Sequence, residues 1–141
     1  MASENDYKKA FRKAFGGWSS AVEPARGGDT GAADINVLSY EGRIVPIELK
    51  LGSIKDYLIH VKKPGIRPAQ IAWHYDLYKQ GGFSLLAIGV EQEKKWLTYF
   101  VDGSRLAGWR EGFIPGDSYD AKTLFGRVAA LTRQHLDFKA R

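Results

Sequence analysis

The chain contains no cysteine, one methionine and only three histidines. The lack of cysteine excludes disulfides, thiol nucleophiles and cysteine-held zinc. The poverty in histidine argues against zinc-dependent, histidine-metal-finger and covalent phospho-enzyme schemes. No apolar run is long enough to cross a bilayer, and the opening MASENDYKK is polar and charged, unlike a secretory signal. A membrane partner is therefore not expected, and a cytoplasmic setting is. No repeat, low-complexity tract or linker divides the 141 residues, which read as a single domain (1–141) large enough to bury a core. The net charge of +5 fits a nucleic acid as partner.

The richest stretch runs from Gly27 to Gly52, GGDTGAADINVLSYEGRIVPIELKLG. It predicts a strand over about Ala33–Tyr40, a bend at Glu41-Gly42 and a strand over about Arg43–Leu51. Alternation along a strand puts Glu48 and Lys50 on one face and Ile47, Leu49 and Leu51 on the other. Asp34 and Asn36 share a face of the partner strand. An acid on one strand thus comes near Glu48 and Lys50 on the next. Carboxylates and a lysine on a half-buried sheet are costly without a partner, and a divalent cation is a natural one for carboxylates. Glu-x-Lys alone is common by chance; the Gly-rich approach, the Asp opening a strand and the apolar strand make it specific. Pro46 predicts a bulge or an unpaired amide.

A helix is predicted over about Glu4–Phe15, with Ser3 and Asp6 as a capping box and Tyr7, Phe11 and Phe15 as its apolar face. Glu4 in the first turn suits the helix dipole. Lys8, Lys9, Arg12 and Lys13 lie off the stripe, as a solvated face or a phosphate contact. Trp18–Val22 reads as a short strand leading to Glu23 and the glycines. Gly27, Gly28 and Gly31, with Arg26 beside them, make either a surface loop or a cradle for a phosphate backbone. No Gly-Lys-Ser/Thr follows, so this is not a nucleotide-binding Walker loop, and no small-molecule cofactor is expected. Ser53–Arg67 reads as a connection carrying Lys55, Lys62, Lys63 and Arg67, with Tyr57 and His60 interleaved; it suits either solvent or nucleic acid. A second helix, about Pro68–Gln80, starts on a proline and stops at Gly81-Gly82. Its aromatic stripes predict deep burial, and His74 reads as a packed helix residue. Phe83–Val90 and Lys95–Val101 predict two more strands. Asp102–Ser118 predicts a loop, and Asp120–Leu136 a closing helix whose role as interface, flap or cover is open.

Asp34 followed by Glu48-Leu49-Lys50 resembles the PD-(D/E)XK nuclease superfamily, whose core is an Asp, a gap and a Glu-x-Lys on a hairpin. Arg67-Pro68-Ala69-Gln70, then Gly81-Gly82 and the apolar Phe83–Val90, are similar to its VRR-NUC branch and to small phage nucleases, and Glu4 stands where archaeal Holliday-junction resolvases carry an early-helix glutamate that reaches the metal site. The likeness spans about Glu4 to Val90; the family's proline before the Asp is replaced by Ala33. It implies an α/β, restriction-endonuclease-like core, with a mixed sheet of about five strands flanked by helices in the order α-β-β-β-α-β-β-α. It implies Mg²⁺, with Mn²⁺ as substitute, held by Asp34, Glu48, the Leu49 carbonyl and Glu4. Glu23 is the alternative third carboxylate. Lys50 then orients water or neutralises charge, and Gln70 positions a water, metal or phosphate. The implied partner is DNA, branched by analogy with the resolvases, touched by Lys8, Lys9, Arg12, Arg26, Lys55, Lys62, Lys63 and Arg67. Linear duplex, single-stranded DNA, or a non-catalytic binding role are the alternatives. Paired cuts in a junction need two sites, so a homodimer is expected, in the cytoplasm of a bacterium or a phage-infected cell.

Overall fold

Helix α1 (Glu4–Phe15) begins as its sequence predicts. Ser3 Oγ accepts the Asp6 amide at 3.2 Å, and the Asp6 carboxylate accepts the Ser3 amide at 2.8 Å. Tyr7, Phe11 and Phe15 are buried. The computed structural model describes residues 3–21 and 31–139.

The strands are β1 (Ser19–Ala21), β2 (Ile35–Leu38), β3 (Ile44–Lys55), β4 (Leu58–Val61), β5 (Leu85–Gln92) and β6 (Lys95–Asp102). Five of them lie in the order β1-β2-β3-β5-β6. Among the described strands only β3 and β5 pair in parallel, so the sheet is mixed. Helix α2 (Pro68–Lys79) lies on the crossover between that parallel pair, and α3 (Leu124–Lys139) closes the chain. The expected α/β class, sheet and element order are therefore present.

The sheet is covered on both faces. On one, Tyr7, Phe11, Phe15, Leu124 and Val128 pack on Ile35, Val37, Ile47 and Leu49. On the other, Ile59, Ile66, Leu86, Ile88, Leu106 and Phe113 form a second cluster, with Ile71 against it. The alternation of β3 sorts its residues between the two: Ile47 and Leu49 face α1 and α3, and Glu48 and Lys50 face α2.

Three expectations change, and of the two alternatives at Pro46 one remains. The Ser53–Arg67 connection is partly strand: β3 runs on to Lys55 and turns back through Asp56-Tyr57 into β4, with Lys55 opposite Leu58. Both turn residues are left-handed, at φ 54° and 65°, as a two-residue hairpin turn requires. Without Gly or Asn at the turn, the hairpin signal was hidden. Pro46 makes no bulge. It stands opposite Asn36 in an unbroken register, and the β5 ladder starts only at Ile47, so the missing amide falls where β3 is paired on one side. Helix α2 is not buried through its aromatics: Tyr75 and Tyr78 are exposed, and the buried residues are Gln70 and His74. Finally, the loop after β6 contains a 3₁₀ segment, Gly103–Arg110, that packs over α2. The helix behind it begins at Leu124 rather than Asp120, whose side chain accepts the Lys122 and Thr123 amides. Phe113 and Tyr119 bridge to Ile59 and Thr98, so the segment between the 3₁₀ turn and α3 is tied to β4 and β6. No helix among the described residues is long and apolar enough to cross a membrane.

Candidate active site

One edge of β3 is shared by two partners. β2 pairs it from Ile44 to Ile47, and β4 pairs it from Gly52 to Lys55. The Leu51 carbonyl accepts the Lys62 amide at 2.9 Å on that edge. Residues two apart on a strand point their backbone groups the same way, so the amide and carbonyl of Leu49 face the gap between β2 and β4. Asp34, just before β2, fills it: its Oδ2 accepts the Leu49 amide at 2.8 Å. The Asp needed by the sequence pattern is thereby fixed beside Glu48.

Glu48 is fully buried, at 0 % exposure. Burial first, and the Asp34 charge second, push its pKa up to about 8, against the pull of Lys50. The Lys50 ammonium lies 3.7 Å from Glu48 Oε1. Gln70 Nε2 donates to the same oxygen at 2.5 Å, and Gln70 Oε1 accepts the Arg67 amide at 3.0 Å. The start of α2 thus sets the side-chain amide that holds Glu48. Gly31 seats that helix start: at φ 77°, a Cβ there would come within 2.1 Å of the Ala69 carbonyl. Gly31 is thus a packing residue of the site.

On the other side of Asp34, Lys8 lies 3.2 Å from Oδ1 and 3.4 Å from Glu4 Oε1. Burial pulls the Lys8 pKa down, but the charges of Asp34 and Glu4 together raise it. Lys8, expected at a nucleic-acid face, is therefore a member of the acidic cluster, and Glu4 reaches that cluster through it. Among the described residues no three of His, Asp and Glu converge closely enough to hold a metal ion by themselves. The oxygens gathered at the gap are those of Asp34, Glu48 and the Leu49 carbonyl.

The other expected contacts are spread over the surface. Lys9 and Arg12 line a shallow cleft of about 300 Å³ on α1 with Lys13, Gly16 and Ser19. Lys55 sits at the end of β3, Lys62 and Lys63 follow β4, and Arg67 precedes α2; all are exposed. Glu23, Arg26, Gly27 and Gly28 lie outside the described residues. A second Glu-x-Lys, Glu93-Lys94-Lys95, is in the exposed turn between β5 and β6 and lies apart from this cluster.

His74 is the residue that sequence pattern undervalued. It follows Gln70 by four positions, so both project from one face of α2. Its Nε2 lies 3.9 Å from Glu48 Oε2, and neither atom has a hydrogen-bond partner among the described residues. Burial pushes the His74 pKa down to about 4, so the ring is neutral and the contact is not an ion pair. The four-residue spacing was the available signal; that it faces Glu48 depends on where α2 docks. No known protein family matches the chain, and no curated protein matches it.

Proposed function

We propose that the protein is a Mg²⁺-dependent endonuclease that hydrolyses phosphodiester bonds in DNA, selective for branched structures such as four-way junctions. The observation that carries this reading is the juxtaposition of Asp34 and Glu48 at the gap in β3, with Lys50 next on the same face. Glu48 is buried against the Asp34 charge, which a divalent cation relieves. The donor set is all oxygen, and Mg²⁺ takes one or two carboxylates together with waters and substrate phosphate. Asp34, Glu48 and the Leu49 carbonyl would hold it, with Mn²⁺ as substitute. Glu4, paired with Lys8, is the third carboxylate of this reading; Glu23 is its alternative. When bound, the cation stabilises charge on the phosphodiester and lowers the pKa of the attacking water.

The protein's own groups divide the remaining work. Lys50 orients the water and neutralises charge as it develops. Gln70 holds Glu48 through Oε1. Lys8 offsets the charge of Asp34 before substrate arrives. Lys9 and Arg12, on the helix that carries Lys8, and Lys55, Lys62, Lys63 and Arg67, on and after the strand that carries Lys50, contact backbone phosphates. Resemblance to the PD-(D/E)XK superfamily and its resolvases supports the same roles and narrows the substrate to branched DNA. Two symmetric cuts across a junction then require a two-fold homodimer.

The test is cleavage of a labelled panel — four-way junction, flap, linear duplex and single strand — with and without Mg²⁺, alongside Glu48→Gln and light scattering at micromolar protein. Paired, Mg²⁺-dependent cuts in the junction by a dimer support the reading. Preference for linear DNA, or a monomer nicking one strand, would keep the nuclease and reject the junction. Binding without cleavage under any divalent ion would reject the enzyme.

A further inference from the structure

We infer that His74, locked by Ser84, is a positioning residue that sets the orientation of the Glu48 carboxyl and thereby how tightly the site takes a divalent cation. The cation part rests on the nuclease reading; the contact itself does not.

Three observations build the argument. First, His74 and Glu48 are both 0 % exposed, so water cannot serve the polar atoms that face each other there. Second, those atoms, His74 Nε2 and Glu48 Oε2, are both without a partner among the described residues and stand 3.9 Å apart. That is too long for a hydrogen bond, but a small rotation of the Glu48 carboxyl closes it. A buried donor and acceptor left unmade each carry the cost of their lost hydration, so the pair is driven together. Third, the far side of the ring is fixed. His74 Nδ1 lies 2.7 Å from Ser84 Oγ. Gly103 makes room for this pair: a Cβ there would come within 2.0 Å of Ser84 Oγ and 3.1 Å of His74 Nδ1. Its amide also donates to the Ser84 carbonyl at 2.9 Å, which ties the serine backbone to the start of the 3₁₀ segment.

The tautomer follows from this frame. With Glu48 ionised, as a carboxylate holding a cation is, Oε2 can only accept, so the ring proton is on Nε2 and the Ser84 hydroxyl donates to Nδ1. Gln70 holds Oε1 from one helical turn earlier. Together, residues four apart on α2 grip the two oxygens of one carboxyl and fix its plane. Partners of this kind, behind a ligating group, commonly change cation affinity by about 10–100-fold.

Two measurements test the inference. Nitrogen-15 NMR of the metal-free protein well above pH 8, where Glu48 is ionised, should show neutral His74 with its proton on Nε2, and its ring shifts should move in Glu48→Gln. Titration calorimetry with Mn²⁺ should show His74→Phe weakening binding by about tenfold or more, with His74→Gln, whose amide can donate from a similar place, restoring most of it. Ser84→Ala should weaken it as well, and the His74→Phe effect should vanish in a Glu48→Gln background. A proton on Nδ1, unchanged ring shifts in Glu48→Gln, or Mn²⁺ affinity in a folded His74→Phe equal to wild type would overturn the inference. Should His74→Phe fail to fold, Ser84→Ala and the NMR arm decide. If the wild-type protein binds no Mn²⁺, the nuclease reading and the cation clause fall together, and the ring tautomer still decides the His74–Glu48 contact.

Discussion

Asp34 Oδ2 accepts the backbone amide of Leu49 at 2.8 Å, in the stretch of β3 that neither β2 nor β4 pairs. The bond does two things. It satisfies a strand amide that no neighbouring strand reaches, and it pins a carboxylate beside Glu48 while leaving Oδ1 to face Lys8. Structure and chemistry thus depend on one side chain, and substitutions there can separate them.

Asp34→Asn keeps an acceptor for the Leu49 amide but loses the charge. It should fold with stability within about 1 kcal/mol of wild type, while Mg²⁺-dependent cleavage drops by about 100-fold or more. Asp34→Ala should lose the activity and a further 1–3 kcal/mol or so, because the amide is left unmet. Denaturant melts and initial rates on a labelled junction measure both. An Asn variant that cleaves at the wild-type rate would sink the site.

The raised pKa of Glu48 makes a pH prediction for the protein in EDTA. Folding lifts this carboxyl from its ordinary value of 4.5 to about 8, so the folded state binds its proton more tightly than the unfolded state does. The stabilisation is complete below pH 4.5 and is lost as pH rises through about 8. Thermal melts should therefore show this contribution, on the order of a few kcal/mol, disappearing between those limits. Glu48→Gln should flatten the trend and melt higher than wild type at pH 8. Equal pH profiles for the two proteins would contradict the burial and charge assigned to Glu48.

Lys8 and a divalent cation compete for the same negative charge at Asp34. Lys8→Met should therefore bind Mn²⁺ more tightly than wild type, by several-fold in calorimetry at low salt. Lys9→Met, on the exposed side of α1, should leave that affinity unchanged. Weaker Mn²⁺ binding by a folded Lys8→Met would show that Lys8 supports the cation rather than opposing it.

Gly31 is tested through its lack of a side chain. Ala there must both hold a left-handed backbone and push against the Ala69 carbonyl. Gly31→Ala should cost more than about 1 kcal/mol in stability, and should lower cleavage further by shifting the helix start that carries Gln70. A variant as stable and active as wild type would show that Gly31 does not seat α2.

Under the proposed nuclease reading, the β3–β4 hairpin is the element expected to face DNA. Its turn holds Tyr57 at 92 % exposure, with Lys55 beside it and Lys62 and Lys63 after β4. Each Lys→Ala should lower the salt slope of DNA binding by about 1 and leave the single-turnover cleavage rate at saturation unchanged. Tyr57→Ala should weaken binding to unpaired strands more than to duplex, since a ring can stack only on accessible bases. Fluorescence anisotropy across a salt series reads both. Equal slopes for wild type and the triple lysine variant would move the DNA contact elsewhere.

Much of the frame was legible in local pattern. The capping box at Ser3 and Asp6, the four-residue aromatic spacing of α1, the period-two alternation of β3 and the Pro-to-Gly bounds of α2 are short-range features. They reflect backbone propensity and the need of each element to bury one face. The meeting of Asp34 with Glu48 and Lys50 was legible for the same reason, because hairpin register sets which residues share a face. Tertiary packing alone decided the rest. A charged residue at alternating spacing can face solvent or a helix equally well. Only the docking of α2 made Glu48 fully buried, brought Gln70 and His74 to its two oxygens, and placed Ser84 behind the ring. Lys8 belonged by pattern to a solvated basic face, and the approach of α1 to the end of β2 turned it toward Asp34. β4 escaped notice because its turn uses Asp and Tyr in left-handed conformations, held there by pairing between strands rather than by their own preference.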